Sequence, residues 1–275
     1  MQANLRKYLR QNKLPHIWCP GCGNGIVLGA FVRAYSQLGY DQDKTVIVSG
    51  IGCSSRAAGY LDFNTLHTTH GRALAFATGI KIARPELNIF VFMGDGDSTA
   101  IGGNHFIHAA RRNINLTAII FNNNIYGMTG GQSSPLTPTN SCATTAPYGS
   151  IERPFDLAEL AKAAGATYVA RSTTYHVPML TKLIKEGANH NGLSIIEVIT
   201  ACPVSYGRRN KMGNGYDMLN WQKENAVPVN KAKDYAPEEM QGKFLIGELY
   251  KTQAPEFTKM YEQFMEEVRK KHKEE

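Results

Sequence analysis

The stretch IFVFMGDGDS, residues 89–98, joins a run of apolar side chains to a turn in which glycine and aspartate alternate. A second apolar run ends in FNNNIYG, residues 121–127, and places Asn123 28 residues after Asp95. Short apolar runs that end in turn residues are typical of strands buried on both faces of a parallel sheet. The carboxyl ends of such strands lie at one edge of the sheet, where open α/β folds bind their ligands.

Further runs of strand length alternate with helical stretches along the rest of the chain. This pattern predicts an α/β fold with an open, doubly wound and mostly parallel sheet. We expect one domain over 1–275, with an irregular or helical C-terminal extension over 207–275 and an ordered active-site loop over 127–153. The expected strands are 45–48, 89–93, 116–121, 167–170 and 194–199, and the expected helices are 25–38, 72–84, 102–112, 157–164 and 177–188.

The composition describes a folded protein, since 43% of the 275 residues are apolar and 19% are charged. The net charge of +7 comes from scattered basic residues without interleaved aromatic residues, so we expect no nucleic acid partner and favour an acidic protein. No apolar run is long enough to span a membrane, and the N-terminus is polar. Five cysteines, an odd number, fit a reducing compartment. These features predict a soluble cytoplasmic protein that does not bind membranes.

Asp95 and an asparagine of the run 122–124 have the chemistry of a magnesium site. Carboxylate and amide oxygens are hard ligands, which Mg²⁺ prefers and combines with phosphate oxygens. The glycines beside Asp95 let the backbone approach a phosphate, and the helix expected to open near Gly102 favours an anion at its N-terminus. The alternative is that each fragment is only a tight turn. Because both fragments end expected parallel strands, we favour a binding site.

Four of the five cysteines fall where one site can collect them. Cys19 and Cys22 form a CxxC, Cys53 follows the first expected strand, and Cys202 follows the last. Four thiolates suit either a zinc ion or an iron-sulfur cluster. A CxxC also occurs as a redox dithiol, but this one lacks the usual βαβ context. The remaining Cys142 lies in the polar loop, where we expect a structural role.

The motifs around these residues agree, in order, with one known family. They resemble the beta subunit of the 2-oxoacid:ferredoxin oxidoreductases, thiamine diphosphate enzymes in which Asp and Asn bind the magnesium that anchors the cofactor's diphosphate. The resemblance covers about Trp18 to Asn210 and is looser beyond. It is carried by the motifs WCPGCGNG, GIGCSSR, THGRALAFATGIK, GDGDSTAIGGNHFIHAARRNINLTAIIFNN, IYGMTGGQSSP and CPVSYGRRN.

The resemblance implies roles for individual residues. The implied ligands of a 4Fe-4S cluster are Cys19, Cys22, Cys53 and Cys202. The implied Mg²⁺ ligands are Asp95, the Asn123 side chain and the Ile125 backbone carbonyl. The residues implied to line the cofactor are Cys53, Ser54, His70, Gly94, Asp95, Gly96, Asp97, Asn123, Ile125, Gly127, Met128 and Thr129. His70 is the candidate catalytic side chain, while the Glu that activates the cofactor lies in a separate alpha subunit in this family, so this chain without its partner should be inactive.

The resemblance also implies a reaction, the coenzyme A dependent oxidative decarboxylation of a 2-oxoacid to an acyl-CoA and CO₂, or its reverse. Electrons would leave through the cluster to ferredoxin, and the expected assembly is an alpha-beta heterodimer or a dimer of heterodimers. Part of the family has a lysine in the loop where this chain reads Met128 to Gln132, and the glycine form favours the 2-oxoglutarate group. Pyruvate and branched-chain 2-oxoacids stay open as substrates. The candidates for contact with a distal carboxylate are Arg56, Arg72 and Arg153.

Two other functions stay open at this point. In the first, the chain is a non-catalytic iron-sulfur or zinc-binding electron-transfer subunit, and the purified complex contains no thiamine diphosphate. In the second, the chain is a non-oxidative thiamine enzyme, such as a decarboxylase or an acetolactate-synthase-like lyase, with structural cysteines. Such enzymes usually carry their catalytic Glu in a longer single chain.

Overall fold

The computed structural model describes residues 5–274, and side chains as far as residue 272; residues 1–4, which begin the polar N-terminal stretch, and residue 275 lie outside it. The strands form a single sheet in the order β2-β1-β3-β4-β6-β5-β8-β7. They are β1 (Thr45–Ser49), β2 (Asn64–His67), β3 (Asn88–Gly94), β4 (Thr117–Asn122), β5 (Tyr168–Thr173), β6 (Ser194–Ile199), β7 (Ala226–Pro228) and β8 (Phe244–Lys251).

The first six strands run parallel, and β8 pairs with β5 in the antiparallel sense. Their carboxyl ends therefore meet at one edge. The helices of the described residues are α1 (Asn24–Tyr35), α2 (Arg56–Tyr60), α3 (Ala73–Ala83), α4 (Asp95–Thr99), α5 (Gly103–Arg112), α6 (Leu157–Ala164), α7 (Val177–Asn189), α8 (Gly215–Asn225) and α9 (Phe257–Glu274).

Alternate side chains of the central strands enter two separate apolar layers. On β3, Phe90 and Phe92 pack with α1 and α7, whereas Val91 and Met93 pack with α3, α5 and α6. Phe31 of α1 lies edge-on to both phenylalanines at a centroid distance of 5.0 Å. Because both faces are covered by helices, the strands are apolar throughout, and the predicted α/β, doubly wound and mostly parallel fold is confirmed.

The five predicted strands and five predicted helices are all present, with ends shifted by a few residues. The sequence did not predict the short elements β2, α2 and α4, since each is no more than five residues long. The region 127–153 contains neither helix nor strand, and isolated bridges join Tyr126 to Gln132 and Ala143 to Ala146. No helix among residues 5–274 has both the length and the apolar character that crossing a membrane requires.

The C-terminal region departs from the prediction in its secondary structure. Besides α8 and α9, residues 207–275 contain β7 and β8, which extend the sheet beyond β5. β8 is only partly buried and mixes apolar with charged side chains, so its sequence lacks the continuous apolar run of the central strands. The Trp221 ring, which needs an apolar neighbour, packs on Phe244 at a centroid distance of 5.8 Å. That the chain forms a single domain over 1–275 stays a prediction.

Candidate active site

A cavity of about 220 Å³ opens at the carboxyl ends of β1, β3 and β4. The loops after these adjacent strands build its walls. The cavity therefore lies where an open α/β sheet is expected to bind a ligand. Its lining residues are Ile51, Gly52, Cys53, Ser54, His70, Gly94, Asp95, Gly96, Asp97, Asn123, Ile125, Tyr126, Gly127, Met128 and Thr129.

Asp95 is a buried carboxylate without a cationic partner. It is 4% exposed, and none of the salt bridges within residues 5–274 includes it. Burial raises the pKa of Asp95 to about 7, against the lowering effect of hydrogen bonds from Ser134 and the backbone N–H groups of Gly96 and Ile125. A carboxylate removed from water needs a neighbouring positive charge, so the site suits a cation.

Asp95 also begins a helix, α4, whose N-terminal turn lies at the cavity. The helix predicted to open near Gly102 is present as α5, with Gly102 as its N-cap, but neither Gly102 nor Gly103 lines the cavity. This short helical turn, which begins within GDG, was not visible in the sequence because it contains no apolar periodicity.

The three consecutive asparagines have different surroundings. Asn122 donates to Glu197 and is buried in the sheet, and Asn124 adopts the left-handed conformation with φ 62°. Asn123 lines the cavity, and its Oδ1 accepts a hydrogen bond of 3.2 Å from Ile125 N. An amide oxygen has two lone pairs, so one remains for a cation. Asn123 thus lines the same cavity as Asp95, and the magnesium pair stays a prediction.

Asp97 faces the loop that contains His70. Its Oδ1 accepts a hydrogen bond of 2.5 Å from Gly71 N and lies 2.8 Å from His70 Nδ1. Oδ2 has no hydrogen-bond partner among the described residues and fills the space that a Cβ at Gly50 would need. Burial raises the pKa of Asp97, against the lowering effects of Gly71 and His70. Position 50 therefore requires glycine.

Gly96 provides space for a ring. A Cβ at this position would overlap the Tyr126 ring, which therefore packs directly on the backbone of the GDGD turn. Tyr126 is held in turn by its backbone, because Tyr126 N donates to Gln132 O and Gly131 N donates to Tyr126 O. The sequence indicated that Gly96 admits a phosphate, and the structure adds that this glycine accommodates Tyr126.

Four cysteines line a second cavity of about 80 Å³. Hydrogen bonds tie together the segments that carry them, because Trp18 Nε1 donates to Cys53 O at 2.7 Å and Gly23 N donates to Ala201 O at 3.0 Å. The turn within the CxxC uses the left-handed Gly21, with φ 78°. The residues that line this cavity are Ile17, Trp18, Cys19, Cys22, Cys53, Arg56, Asn123, Gly127, Met128, Cys202, Pro203, Val204 and Ser205.

Three of the four thiols, those of Cys22, Cys53 and Cys202, resist ionisation in this setting. Burial raises the pKa of Cys22 to about 12 and that of Cys53 to about 11, and it also raises the pKa of Cys202. The neighbouring cysteines raise these pKa values further, whereas Arg56 lowers that of Cys53. Such thiols become thiolates when they bind a metal, which supplies the missing positive charge.

The four cysteines are not arranged to bind one metal ion. Within residues 5–274, no three His, Cys, Asp or Glu side chains are close enough together to hold one metal ion. Cys142 lies outside the cysteine cavity, where its backbone N–H and C=O both bond the Asn210 side chain. The structure thus brings together the four cysteines that the sequence selected and separates the fifth.

The two cavities share a wall formed by Cys53, Asn123, Gly127 and Met128. Gly127 lies at its centre, since a Cβ there would be 3.6 Å from the sulfur atoms of both Cys53 and Cys202. A group bound in the first cavity would therefore be a close neighbour of a group bound by the cysteines.

All twelve residues that the sequence selected for cofactor binding line the first cavity. Sequence reasoning missed Ile51, Gly52 and Tyr126 of its lining, together with Ser134, which bonds Asp95. Ser134 lies within IYGMTGGQSSP, but no spacing rule connects it to Asp95. Among the candidates for substrate contact, Arg56 lines the cysteine cavity, and Arg72 donates to Ile101 O. Arg153 is exposed and lines neither cavity.

Comparison with known proteins assigns a class to this fold and site. The family model described as the thiamine pyrophosphate enzyme C-terminal TPP binding domain matches residues 50–198, which include the ends of β3 and β4 and all the residues that line the cavity. The chain is 55% identical over 263 residues to the 2-oxoglutarate synthase subunit KorB of Methanocaldococcus jannaschii, which covers 96% of this chain and 97% of that protein. It is 63% identical over 203 residues to the KorB subunit of Archaeoglobus fulgidus, covering 74% and 76% of the two chains.

A solved structure agrees with these relatives. The 2-oxoglutarate:ferredoxin oxidoreductase from Magnetococcus marinus, with 2-oxoglutarate, coenzyme A and succinyl-CoA bound, superimposes with a TM-score of 0.85 at 35% identity, covering 96% of this chain and 90% of that one. The fold and site are thus those of a thiamine pyrophosphate-dependent oxidoreductase subunit. The chain belongs to the family of 2-oxoacid:ferredoxin oxidoreductase beta subunits, in its 2-oxoglutarate group. The resemblance found in the sequence is confirmed.

Proposed function

We propose that this chain, joined to an alpha subunit, catalyses the coenzyme A dependent oxidative decarboxylation of a 2-oxoacid to an acyl-CoA and CO₂, or the reverse reaction. The favoured substrate is 2-oxoglutarate, which the names of its relatives also contain. The chain would bind thiamine diphosphate, Mg²⁺ and one 4Fe-4S cluster, with ferredoxin as the electron carrier.

The observation that carries this proposal is the wall common to the two cavities. Cys53, Asn123, Gly127 and Met128 line both of them, so the chain is built to hold two groups side by side. A thiamine enzyme that only decarboxylates has no use for a neighbouring cysteine cavity. An oxidoreductase needs one, because electrons must leave the reacting centre.

The first cavity fits the magnesium-bound diphosphate of the cofactor. Asp95 supplies a buried carboxylate without a salt-bridge partner in the described chain, Asn123 supplies an amide oxygen, and the Ile125 carbonyl would complete the set of protein ligands. When bound, thiamine diphosphate supplies a carbon nucleophile and an electron sink for decarboxylation. The protein positions this chemistry, and His70, facing Asp97, is the side chain of this chain placed to hold or move a proton beside it.

The second cavity fits a cluster in its donors. Cys19, Cys22, Cys53 and Cys202 are the usual thiolate set of a 4Fe-4S cluster. A cluster separates its ligands more widely than a single ion does, because irons and sulfides lie between the thiolates. The cluster would accept electrons one at a time, and its positive irons would offset the cost of ionising buried thiols.

Partners and location follow from the same chemistry. We propose an alpha-beta heterodimer or a dimer of heterodimers, in which the alpha subunit supplies the activating Glu. Ferredoxins are commonly acidic, and the +7 charge of this chain suits such a partner. Raising the salt concentration should therefore slow ferredoxin reduction, and an unchanged rate would count against a charge-steered encounter. A cytoplasmic location agrees with cysteines that must stay reduced before they bind iron.

The proposal is tested on the complex expressed anaerobically with its alpha subunit. Iron and thiamine diphosphate contents are measured first, followed by coenzyme A dependent viologen reduction with 2-oxoglutarate, pyruvate and a branched-chain 2-oxoacid in parallel. We expect both cofactors and the fastest reduction with 2-oxoglutarate.

Each other outcome selects a different function. Iron without thiamine diphosphate would favour an electron-transfer subunit, and CO₂ release without viologen reduction would favour a non-oxidative thiamine enzyme. A faster rate with another acid would change the substrate alone. The matched variant is Asp95→Asn, which keeps the shape of the side chain and should abolish magnesium-dependent cofactor binding while leaving the iron content unchanged.

A further inference from the structure

We propose that a buried polar chain, Arg171–Glu197–Asn122, sets the geometry of the loop that presents Asn123 to the cofactor cavity. These three are positioning residues, since none of them lines that cavity. The inference rests on the proposed function, because Asn123 matters here as a ligand of Mg²⁺.

The chain crosses the sheet on three adjacent strands. Arg171 on β5 donates from Nε to Glu197 Oε2 on β6 at 2.6 Å, and Glu197 Oε1 accepts from Asn122 Nδ2 at the end of β4 at 2.7 Å. Arg171 is 9% exposed and Glu197 is 3% exposed. At the outer end, Arg171 Nη2 donates to Asp156 Oδ1 at 2.7 Å, and Asp156 caps α6. Hydrogen bonds thus run continuously from the start of α6 to the asparagine loop.

The carboxylate of Glu197 fixes the orientation of the Asn122 side-chain amide. An ionised carboxylate can only accept hydrogen bonds, so it holds the NH₂ group and turns Oδ1 to the opposite side. There Asn122 Oδ1 accepts from Asn124 N at 3.1 Å, and the Asn122 carbonyl accepts from Thr200 N at 2.7 Å.

The bond to Asn124 N shapes the loop that follows. Asn124 stands in the left-handed conformation with φ 62°, which is uncommon for non-glycine residues and is adopted more readily by asparagine than by most others. Asn123 and Ile125, on either side of Asn124, both line the cavity. The orientation of the proposed ligands therefore depends on a hydrogen bond that Glu197 enforces through Asn122.

Fold stability does not by itself require charged residues at these positions. Burying an ion pair costs desolvation energy, and a well-packed apolar pair of similar size is commonly as stable or more stable. The neighbouring positions on β6, Ile196 and Val198, are fully buried and apolar. A role in orienting Asn122 explains why β6, an otherwise mostly apolar strand, has a carboxylate at position 197.

The test exchanges donor and acceptor in the hydrogen bond between Asn122 and Glu197. Glu197→Gln has one acceptor for two donors, Arg171 Nε and Asn122 Nδ2, so one contact must fail. Asn122→Asp sets one carboxylate against another. In the double variant Asn122→Asp/Glu197→Gln, the Gln amide donates to the new carboxylate and still accepts from Arg171, while the other carboxylate oxygen accepts from Asn124 N.

The readout is binding affinity, measured by calorimetry on the anaerobic complex with its alpha subunit after thiamine diphosphate and Mg²⁺ are removed. We expect each single variant to raise the Kd for Mg²⁺, at fixed thiamine diphosphate, by about tenfold or more. The double variant should return to within about threefold of the unaltered complex, since it restores every donor to an acceptor. Iron content and the Tm of the cofactor-free complex are measured alongside.

Two controls separate positioning from other effects. Asp156→Ser removes the outer partner of Arg171, keeps a helix-capping side chain and should leave the Kd unchanged. Asn122→Asp alone carries the same new charge as the double variant, so tight binding by it would mean that charge, and not pairing, acts. Weak binding by Asp156→Ser, or no recovery in the double variant, would overturn the inference. Failure of the unaltered complex to bind thiamine diphosphate with Mg²⁺ would instead reject the proposed function.

Discussion

The Ser134 hydroxyl donates a hydrogen bond of 2.5 Å to Asp95 Oδ2 across 39 residues of chain. Ser134 is itself held, because its N–H donates to Thr137 Oγ1 at 2.8 Å and Thr137 Oγ1 donates to Asn124 O at 2.6 Å. The loop after β4 therefore folds back to fix the carboxylate at the end of β3. Ser134 therefore connects Asp95, on one side of the proposed magnesium site, to the asparagine loop on the other.

Removal of the Ser134 hydroxyl should weaken magnesium-dependent cofactor binding. In Ser134→Ala the Asp95 carboxylate loses a donor that favours its ionised form and holds its orientation. We expect the Mg²⁺ concentration for half-maximal thiamine diphosphate binding to rise by about tenfold. Ser133→Ala is the matched control, since Ser133 Oγ bonds the Thr145 hydroxyl away from Asp95. Equal binding by both variants would contradict the role of Ser134.

The four cysteines of the cysteine cavity should be required for iron binding, whereas Cys142 should not. Replacement of Cys19, Cys22, Cys53 or Cys202 by Ser removes a thiolate from the cysteine cavity and should lower the iron content of the complex and its visible absorption by most of their value. Cys142→Ser should retain both, because Cys142 lies outside that cavity. Anaerobic purification with iron and sulfide analysis measures the result. A loss of iron in Cys142→Ser would show that the cluster has a different ligand set.

The packing of Tyr126 on Gly96 should make these positions energetically coupled. In Gly96→Ala the new Cβ overlaps the Tyr126 ring, and overpacking of this kind costs about 1–3 kcal/mol. Tyr126→Ala removes the obstacle, so the double variant should be less destabilised than the sum of the two single variants. Thermal unfolding of the four proteins gives this difference. Additive losses in Tm would mean that the ring moves aside freely.

Glu256 should stabilise the fold in a pH-dependent way. It is 3% exposed and accepts from Asn115 N at 3.0 Å and Lys259 N at 3.0 Å, which anchors α9 to the loop before β4. Burial raises the pKa of Glu256, but hydrogen bonds from Thr258, Lys259 and Asn115 outweigh it and hold the pKa below the usual value. The stabilisation is therefore complete above the unfolded pKa of about 4.3 and is lost as pH falls through the lower folded pKa.

The variant Glu256→Gln tests this linkage. It should reduce the free energy of unfolding by about 1–3 kcal/mol at pH 7, because an amide cannot accept all the donors that the carboxylate accepts. The difference from the unaltered protein should shrink as the pH falls below about 4. Glu262→Gln, on the exposed face of α9, is the control and should show neither effect. A difference that stays constant with pH would contradict a role for the ionised side chain.

Local patterns in the chain were enough to predict the parallel sheet, the acid and asparagine ends of two strands and the four grouped cysteines, whereas the other lining residues were implied by the family resemblance. Strands buried between helices must be apolar along their whole length, so Ile89–Met93 and Leu116–Phe121 were recognisable without coordinates. The polar residues just after them then had to meet at the carboxyl edge, which brought Asp95 near Asn123. The same reasoning placed Cys53 and Cys202 together with the CxxC.

Contacts between residues far apart in the chain were decided only by the tertiary fold. The bond from Ser134 to Asp95, the packing of Tyr126 on Gly96, and the antiparallel addition of β8 join segments whose spacing follows no period. The hydrogen bond from Arg171 to Glu197 likewise depends on β5 and β6 becoming neighbours in the sheet. Periodicity reports what one segment buries, whereas partners across a sheet depend on strand order and register, which arise when the whole chain packs.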